Sequence, residues 1–199
     1  MNHIDWDDRF SDDDFVYGTE PNTFLVEHSA KLAGPVLSLA EGEGRNAVYL
    51  ATLGLRVHAV DGSAIGLSKA RRLAVTKGVD IQTEVSDLAT FEPQANCYMS
   101  VISISAHLPS SIRSRLYPLV ESCILPGGIF LLEAYAEAQL QRITGGPKDL
   151  DMLMTVSKIE REFPNLEPIM LHETEREVWE GKHHTGIASV VQFIGRKPA

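Results

Sequence analysis

The sequence predicts an α/β fold: a three-layer sandwich in which helices cover both faces of a mostly parallel seven-stranded sheet, with an antiparallel hairpin at its C-terminal end. Three observations predict it. From Val36 onward, short apolar runs alternate with segments of helical periodicity, the rhythm of right-handed βαβ crossovers. Ile129-Phe130-Leu131-Leu132 is continuously apolar, as suits a strand buried on both faces. Ile169 to Val178 and Ile187 to Gly195 read as long strands with no helix between them, hence a hairpin.

Taken in order, residues 1–30 are acidic and aromatic (Trp6, Phe10, Phe15, Tyr17, Phe24) and read as an N-terminal cap or lid. Val36 to Ala40 is the first strand, broken by Glu41-Gly42-Glu43-Gly44. Ala47, Val48, Leu50, Ala51 and Leu53 then share a helix face that Gly54 stops. Arg56 to Val60 is the second strand, and Asp61-Gly62-Ser63 caps the helix through Leu67, Ala70 and Ala74. Asp80 to Val85 and Tyr98 to Ser105 are the third and fourth strands. A helix opens at Ser110-Ser111, where Pro118 is expected to split it. Leu125-Pro126-Gly127-Gly128 reads as a turn before the fifth strand. Met152, Val156, Ile159 and Phe163 mark a last helix, and residues 137–152 form a glycine-hinged loop suited to a lid. One domain, 1–199, accounts for the whole pattern.

Composition narrows the partners. The net charge is −9, and the densest basic pair is Arg71-Arg72, so a polyanion such as nucleic acid would be repelled. No apolar run approaches the roughly 18 residues of a membrane helix, and the first residues lack a signal peptide's basic and apolar regions. The expectation is a cytoplasmic monomer or homodimer acting on a small molecule. Cys97 and Cys123 read as buried free thiols rather than a disulfide framework or zinc site. His172, His183 and His184 invite a metal, but adjacent histidines on a strand face opposite ways, so no metal is expected.

In a doubly wound sheet, ligands bind beyond the carboxyl ends of the strands, where strand order reverses. Glu41-Gly42-Glu43-Gly44-Arg45 lies there after the first strand. Asp61, 19 residues beyond Gly42, ends the second strand, where a carboxylate can accept both ribose hydroxyls. Asp87, in Ser86-Asp87-Leu88, can accept from an adenine amino group, with Leu88 and Gly62-Ser63 flanking the ring. A dinucleotide is the rival ligand, because Gly42-Glu43-Gly44-Arg45-Asn46-Ala47 also fits the relaxed G-x-G-x-x-A pattern. Charge opposes it: Glu41 and Glu43 would flank a pyrophosphate at the helix N-terminus, although Arg45 can neutralise one of them. A cationic amine and sulfonium suit the same acids.

Val36 through Ala47 resembles the glycine motif of class I S-adenosylmethionine-dependent methyltransferases. Gly44-Arg45-Asn46 is similar to the small tellurite-resistance and thiopurine-type branch. Ala59-Val60-Asp61, Ser86-Asp87-Leu88, Ala106-His107-Leu108-Pro109, Leu125-Pro126-Gly127-Gly128 and Tyr17-Gly18-Thr19-Glu20-Pro21-Asn22 extend the resemblance over nearly the whole chain. It implies a Rossmann-like fold and S-adenosylmethionine as cofactor. Glu41, Gly42 and Gly44 would line its methionine part, Asp61 its ribose, and Asp87 with Leu88 its adenine. Ser105 and His107 would lie near the sulfonium.

The expected reaction is in-line methyl transfer to a small-molecule acceptor such as a thiol or other soft nucleophile. Positioning does most of the work in such a displacement, and His107 is the candidate where a proton must leave. Tyr17 and Arg176 are candidate acceptor contacts. Arg176 can bind an anion, but Glu173, Glu175 and Glu177 surround it in sequence and favour a surface salt bridge. The other readings are an NAD(P)-dependent oxidoreductase and a non-catalytic S-adenosylmethionine-binding sensor.

Overall fold

A computed structural model describes residues 5–181 and 184–199, with the side chain of His184 outside it. The expected histidine pair His183-His184 therefore falls outside the described side chains. The strands are β1 (Val36–Leu39), β2 (Val57–Asp61), β3 (Gln82–Val85), β4 (Tyr98–Ile104), β5 (Ile124–Tyr135), β6 (Glu167–Glu180) and β7 (His184–Arg196). The helices are α1 (Trp6–Arg9), α2 (Thr23–His28), α3 (Arg45–Thr52), α4 (Ala64–Lys77), α5 (Ser110–Cys123) and α6 (Val156–Glu162).

The sheet runs β3-β2-β1-β4-β5-β7-β6. Strands β1 to β5 pair in parallel, and β7 runs antiparallel to both β5 and β6. Strand order reverses between β1 and β4, so the loops after Leu39 and Ile104 meet at the switch point. The period of two along each strand feeds two cores. Val36, Ala59, Ile102, Leu131 and Ile194 join Leu50 of α3 and Leu67 of α4 on one face. Leu37, Val60, Val101, Phe130 and Phe193 join Leu116 and Val120 of α5 and Ile159 of α6 on the other.

Three expectations are corrected. Pro118 lies inside α5 without splitting it; a proline removes one helical donor, and a buried face of Leu116, Tyr117 and Val120 holds the helix together across it. Leu125 to Gly128 is not a turn that precedes β5 but an irregularity within it. The register with β4 steps from Tyr98↔Ile124 to Ser100↔Ile129, while Gly127 N–H and Gly128 C=O pair with Lys197. Met152 closes a short 3-10 turn instead of entering α6. Of the two thiols, Cys123 is buried as expected and Cys97 only half-buried.

Candidate active site

The loop after β1 is built by its own acids. Glu41 turns inward: its Oε1 accepts from the N–H groups of Asn46 (3.1 Å) and Ala47 (2.9 Å), and its Oε2 from the Ser38 hydroxyl. A carboxylate of the chain thus caps the N-terminus of α3, the place where orphan N–H groups otherwise gather an anionic ligand. Burial pushes the Glu41 carboxyl above its ordinary range, against the pull of these donors and of Arg45. Gly44 starts α3 in the left-handed region (φ 94°). A Cβ there would stand 2.6 Å from both Cα and Cβ of Ala70, so only glycine lets α3 and α4 approach this closely.

Asp61 ties β2 to that loop. Its Oδ2 accepts from Gly42 N–H at 2.8 Å and its Oδ1 from Ser63 N–H at 2.7 Å. Burial raises its pKa, while the two backbone donors act in the other direction. Ser63 caps α4 through Gly66 N–H (2.9 Å), and Gly62 faces open space where a side chain would stand. Ser86 N–H reaches Asp61 C=O (2.9 Å), which brings the β3 end alongside. There Asp87 is exposed and caps its own turn through Ala89 N–H (2.8 Å), while Leu88 is buried. Glu41, Asp61 and Asp87 therefore share one rim.

The N-terminal segment is strapped across this rim. The Phe10 ring tip lies 3.1 Å from where a Gly42 Cβ would be, and Phe10 meets Tyr17 edge-to-face, with centroids 6.2 Å apart. Asp7 accepts from Ser63 Oγ (2.5 Å) and Ile65 N–H (3.1 Å). Glu43 Oε2 accepts from Val16 and Tyr17 N–H (2.8 and 3.3 Å), and its Oε1 pairs with Lys69 (2.6 Å). Lys69 in turn holds the carbonyls of Phe10, Asp12 and Asp14. Glu43 thus fastens the strap.

Beyond the switch point, the β4 end leads to a second hollow. Ser105 sits at φ 56° with its N–H on Glu133 C=O (2.8 Å). His107 stacks parallel on Tyr135, with centroids 5.0 Å apart. Gly146, from the candidate lid loop, packs so closely on Tyr135 that a Cβ would overlap its ring at 2.4 Å. Ser105, Glu133, Tyr135, Arg176, Val178 and Glu180 line most of a narrow hollow that their side chains fill.

Arg176 is not the surface ion pair its neighbours suggest. Alternation along β6 turns it inward, to Glu133 of β5 (2.5 and 3.0 Å) and to Glu180 four residues on (2.9 Å). Glu175 instead pairs with Arg142. Asn22 Nδ2 bridges Glu133 (2.7 Å) and Glu180 (2.9 Å), Gln192 donates to Glu133 (2.7 Å), and Arg45 reaches Glu180 from the glycine loop (2.7 Å). Burial alone would lower the pKa of Arg176, but Glu133 and Glu180 hold it above its ordinary value. Sequence reasoning missed Glu133, Glu180, Asn22 and Gln192. The available signal was Glu133 itself, an acid embedded in the apolar run from Ile129 to Ala134. Among the described residues, no group of three or more His, Cys, Asp or Glu is placed to hold a metal ion, and no helix is long and apolar enough to cross a membrane.

Residues 36–128 match the methyltransferase domain family. Solved structures with the same fold include TehB from Haemophilus influenzae (17% identity, TM-score 0.73, 96% of this chain and 67% of that one). NodS, an N-methyltransferase from Bradyrhizobium japonicum WM9 solved with S-adenosylhomocysteine, is similar over 98% of this chain and 97% of its own (14% identity, TM-score 0.73). A structure described as converting a disulfide bond into a thioacetal group during echinomycin biosynthesis is also similar (16% identity, TM-score 0.79, 97% and 91% covered). A search of curated proteins gives no match. At such identities the structural likeness speaks for the fold, and the match to the methyltransferase domain family covers residues 36–128, just under half of the chain.

Proposed function

We propose that the protein transfers the methyl group of S-adenosylmethionine, in line, to a small-molecule acceptor that approaches at the carboxyl edge of the sheet, beside Ser105 and His107. The observation that carries this reading is the Glu41 carboxylate on the N-terminus of α3. A dinucleotide needs those N–H groups for its pyrophosphate and would meet an anion already bonded to them. A cationic amino acid moiety has no such conflict. The residues fit the cofactor in other ways: Asp61 stands beside Gly42, Gly62 leaves room where a base would lie, and Asp87 and Leu88 follow on the same rim.

When bound, S-adenosylmethionine supplies a methyl group on a sulfonium, already an excellent leaving group. What remains for the chain is position and dryness. In this reading, Asp61 orients the ribose, Asp87 and Leu88 the adenine, and Gly42, Gly44 and the Glu41-shaped loop the methionine end. Ser105 and His107 sit where the two sites meet. The strap with Tyr17, fastened by Glu43, and the 137–152 loop, seated on Tyr135 through Gly146, close the site from water. His107 is the candidate to receive a proton where the acceptor must lose one.

Incubation with methyl-labelled S-adenosylmethionine and a panel of thiols, halides, chalcogen oxyanions and amines tests the proposal. Label on one acceptor class, reduced more than cofactor affinity by His107→Ala, is the expected result. Tight S-adenosylhomocysteine binding with no transfer to any acceptor would leave a sensor instead of an enzyme.

A further inference from the structure

Between Phe10 and Asn22 the N-terminal strap has no helix or strand of its own, so its backbone polar groups depend on what it crosses. It crosses a buried ion pair. Lys69 of α4 and Glu43 of the glycine loop are 5% and 4% exposed, with their charged atoms 2.6 Å apart. Lys69 Nζ reaches the strap carbonyls of Phe10 (3.2 Å), Asp12 (2.7 Å) and Asp14 (2.6 Å). Glu43 Oε2 accepts from the N–H groups of Val16 (2.8 Å) and Tyr17 (3.3 Å). The cation thus holds the acceptors of the passing backbone, and the anion holds its donors.

Side chains seat the same segment along the rim. Phe10 fills the gap between Gly42 and Gly66, where an added Cβ would meet its ring at 3.1 and 2.9 Å. Asp7 holds the Ser63 hydroxyl and Ile65 N–H. At Gly181, in the turn after β6, a Cβ would overlap the Val16 carbonyl oxygen at 2.2 Å. With the strap in place, Glu41, Gly42 and Asp61 are all buried, although a methionine and a ribose have to reach them. A cofactor therefore exchanges only when the strap lifts.

Partial lifting is disfavoured. A strap released at one partner alone would leave carbonyls or N–H groups unsatisfied beside a buried charge, which is costly. The segment thus has two states, seated or released, as a gating element requires. Resting on the methyl-transfer reading above, we propose that the Lys69–Glu43 pair is the latch of a gate. Release of the strap, not diffusion, then sets the rate at which S-adenosylmethionine enters and S-adenosylhomocysteine leaves.

Trp6 stacks on Phe10 with centroids 5.6 Å apart and reports on the strap. Trp179, the other tryptophan, is silenced by Trp179→Phe. Stopped-flow mixing of this full-length protein with S-adenosylhomocysteine should give a rate that levels off as concentration rises, because a step within the protein precedes binding. Lys69→Met should raise both that plateau and the dissociation rate at least tenfold. Phe10→Ala leaves the ion pair in place and should raise both several-fold, and it carries the test if Lys69→Met does not fold. A rate proportional to concentration throughout, or a plateau that the folded variants do not move, would overturn the latch. Failure of S-adenosylhomocysteine to bind would instead overturn the methyl-transfer reading beneath it.

Discussion

The two halves of the sheet's carboxyl edge use acids in opposite ways. On the β1–β3 side, Glu41, Glu43, Asp61 and Asp87 accept backbone N–H groups; Glu43 and the Asp61–Gly42 bond apart, their partners Asn46, Ala47, Ser63 and Ala89 lie within six residues along the chain. On the β5–β6 side, Glu133 accepts from Asn22, Arg176 and Gln192, and Glu180 from Asn22 and Arg45, all far away in sequence, with Arg176 four residues before Glu180 joining the two. The first arrangement shapes a loop. The second closes a buried charge network in which two carboxylates meet two guanidiniums.

Removing an acid from each side should show the difference. Glu133→Ala takes two of the hydrogen bonds of Arg176 and the shared acceptor of Asn22 and Gln192, and breaking a buried pair from one end costs roughly 3–5 kcal/mol; urea unfolding would measure it. A loss under 1 kcal/mol would mean water already reaches the network. Gly44→Ala should cost roughly 2–5 kcal/mol, combining overpacking against Ala70 with a left-handed backbone that alanine resists. An unchanged midpoint would mean α3 and α4 are free to separate. Asp61→Ala should weaken S-adenosylhomocysteine binding at least tenfold by calorimetry with a smaller effect on stability, since two charge-assisted hydrogen bonds that set the loop are lost. Equal affinity would detach Asp61 from the cofactor.

The smallest expected effect is on pH dependence. Because burial raises the folded pKa of Glu41 above its ordinary 4.5, the folded protein holds a proton that the unfolded chain has released between those two values. Stability therefore falls as pH rises through that interval. Glu41→Gln keeps a capping oxygen and removes the titration, so its stability should fall less across the same range. A steeper fall in the variant would contradict the burial argument.

The same contrast explains how much was legible in the sequence. The order of strands and helices, the glycine loop, and Asp61 and Asp87 at successive strand ends all follow from local pattern, because their partners lie nearby. What Glu41 does was legible only in part: its place was clear, but its turn toward α3 depended on Ser38 being opposite. The Arg176 network was hidden, because alternation on β6 had to be anchored in space before Glu175 and Glu177 could be seen to face away from Glu133. Pro118 and the Pro126–Gly128 irregularity were misread for a related reason: local rules gave breaks where neighbouring strands and a buried helix face impose continuity.

A carboxylate of the chain already caps α3, so the cleft should accept an adenosyl amino acid and refuse a pyrophosphate. Calorimetric titration of one protein sample with S-adenosylhomocysteine and with NADH tests it most directly. Saturable binding of S-adenosylhomocysteine on the order of micromolar, with no heat from NADH, is the predicted result; NADH binding while S-adenosylhomocysteine gives none would contradict it.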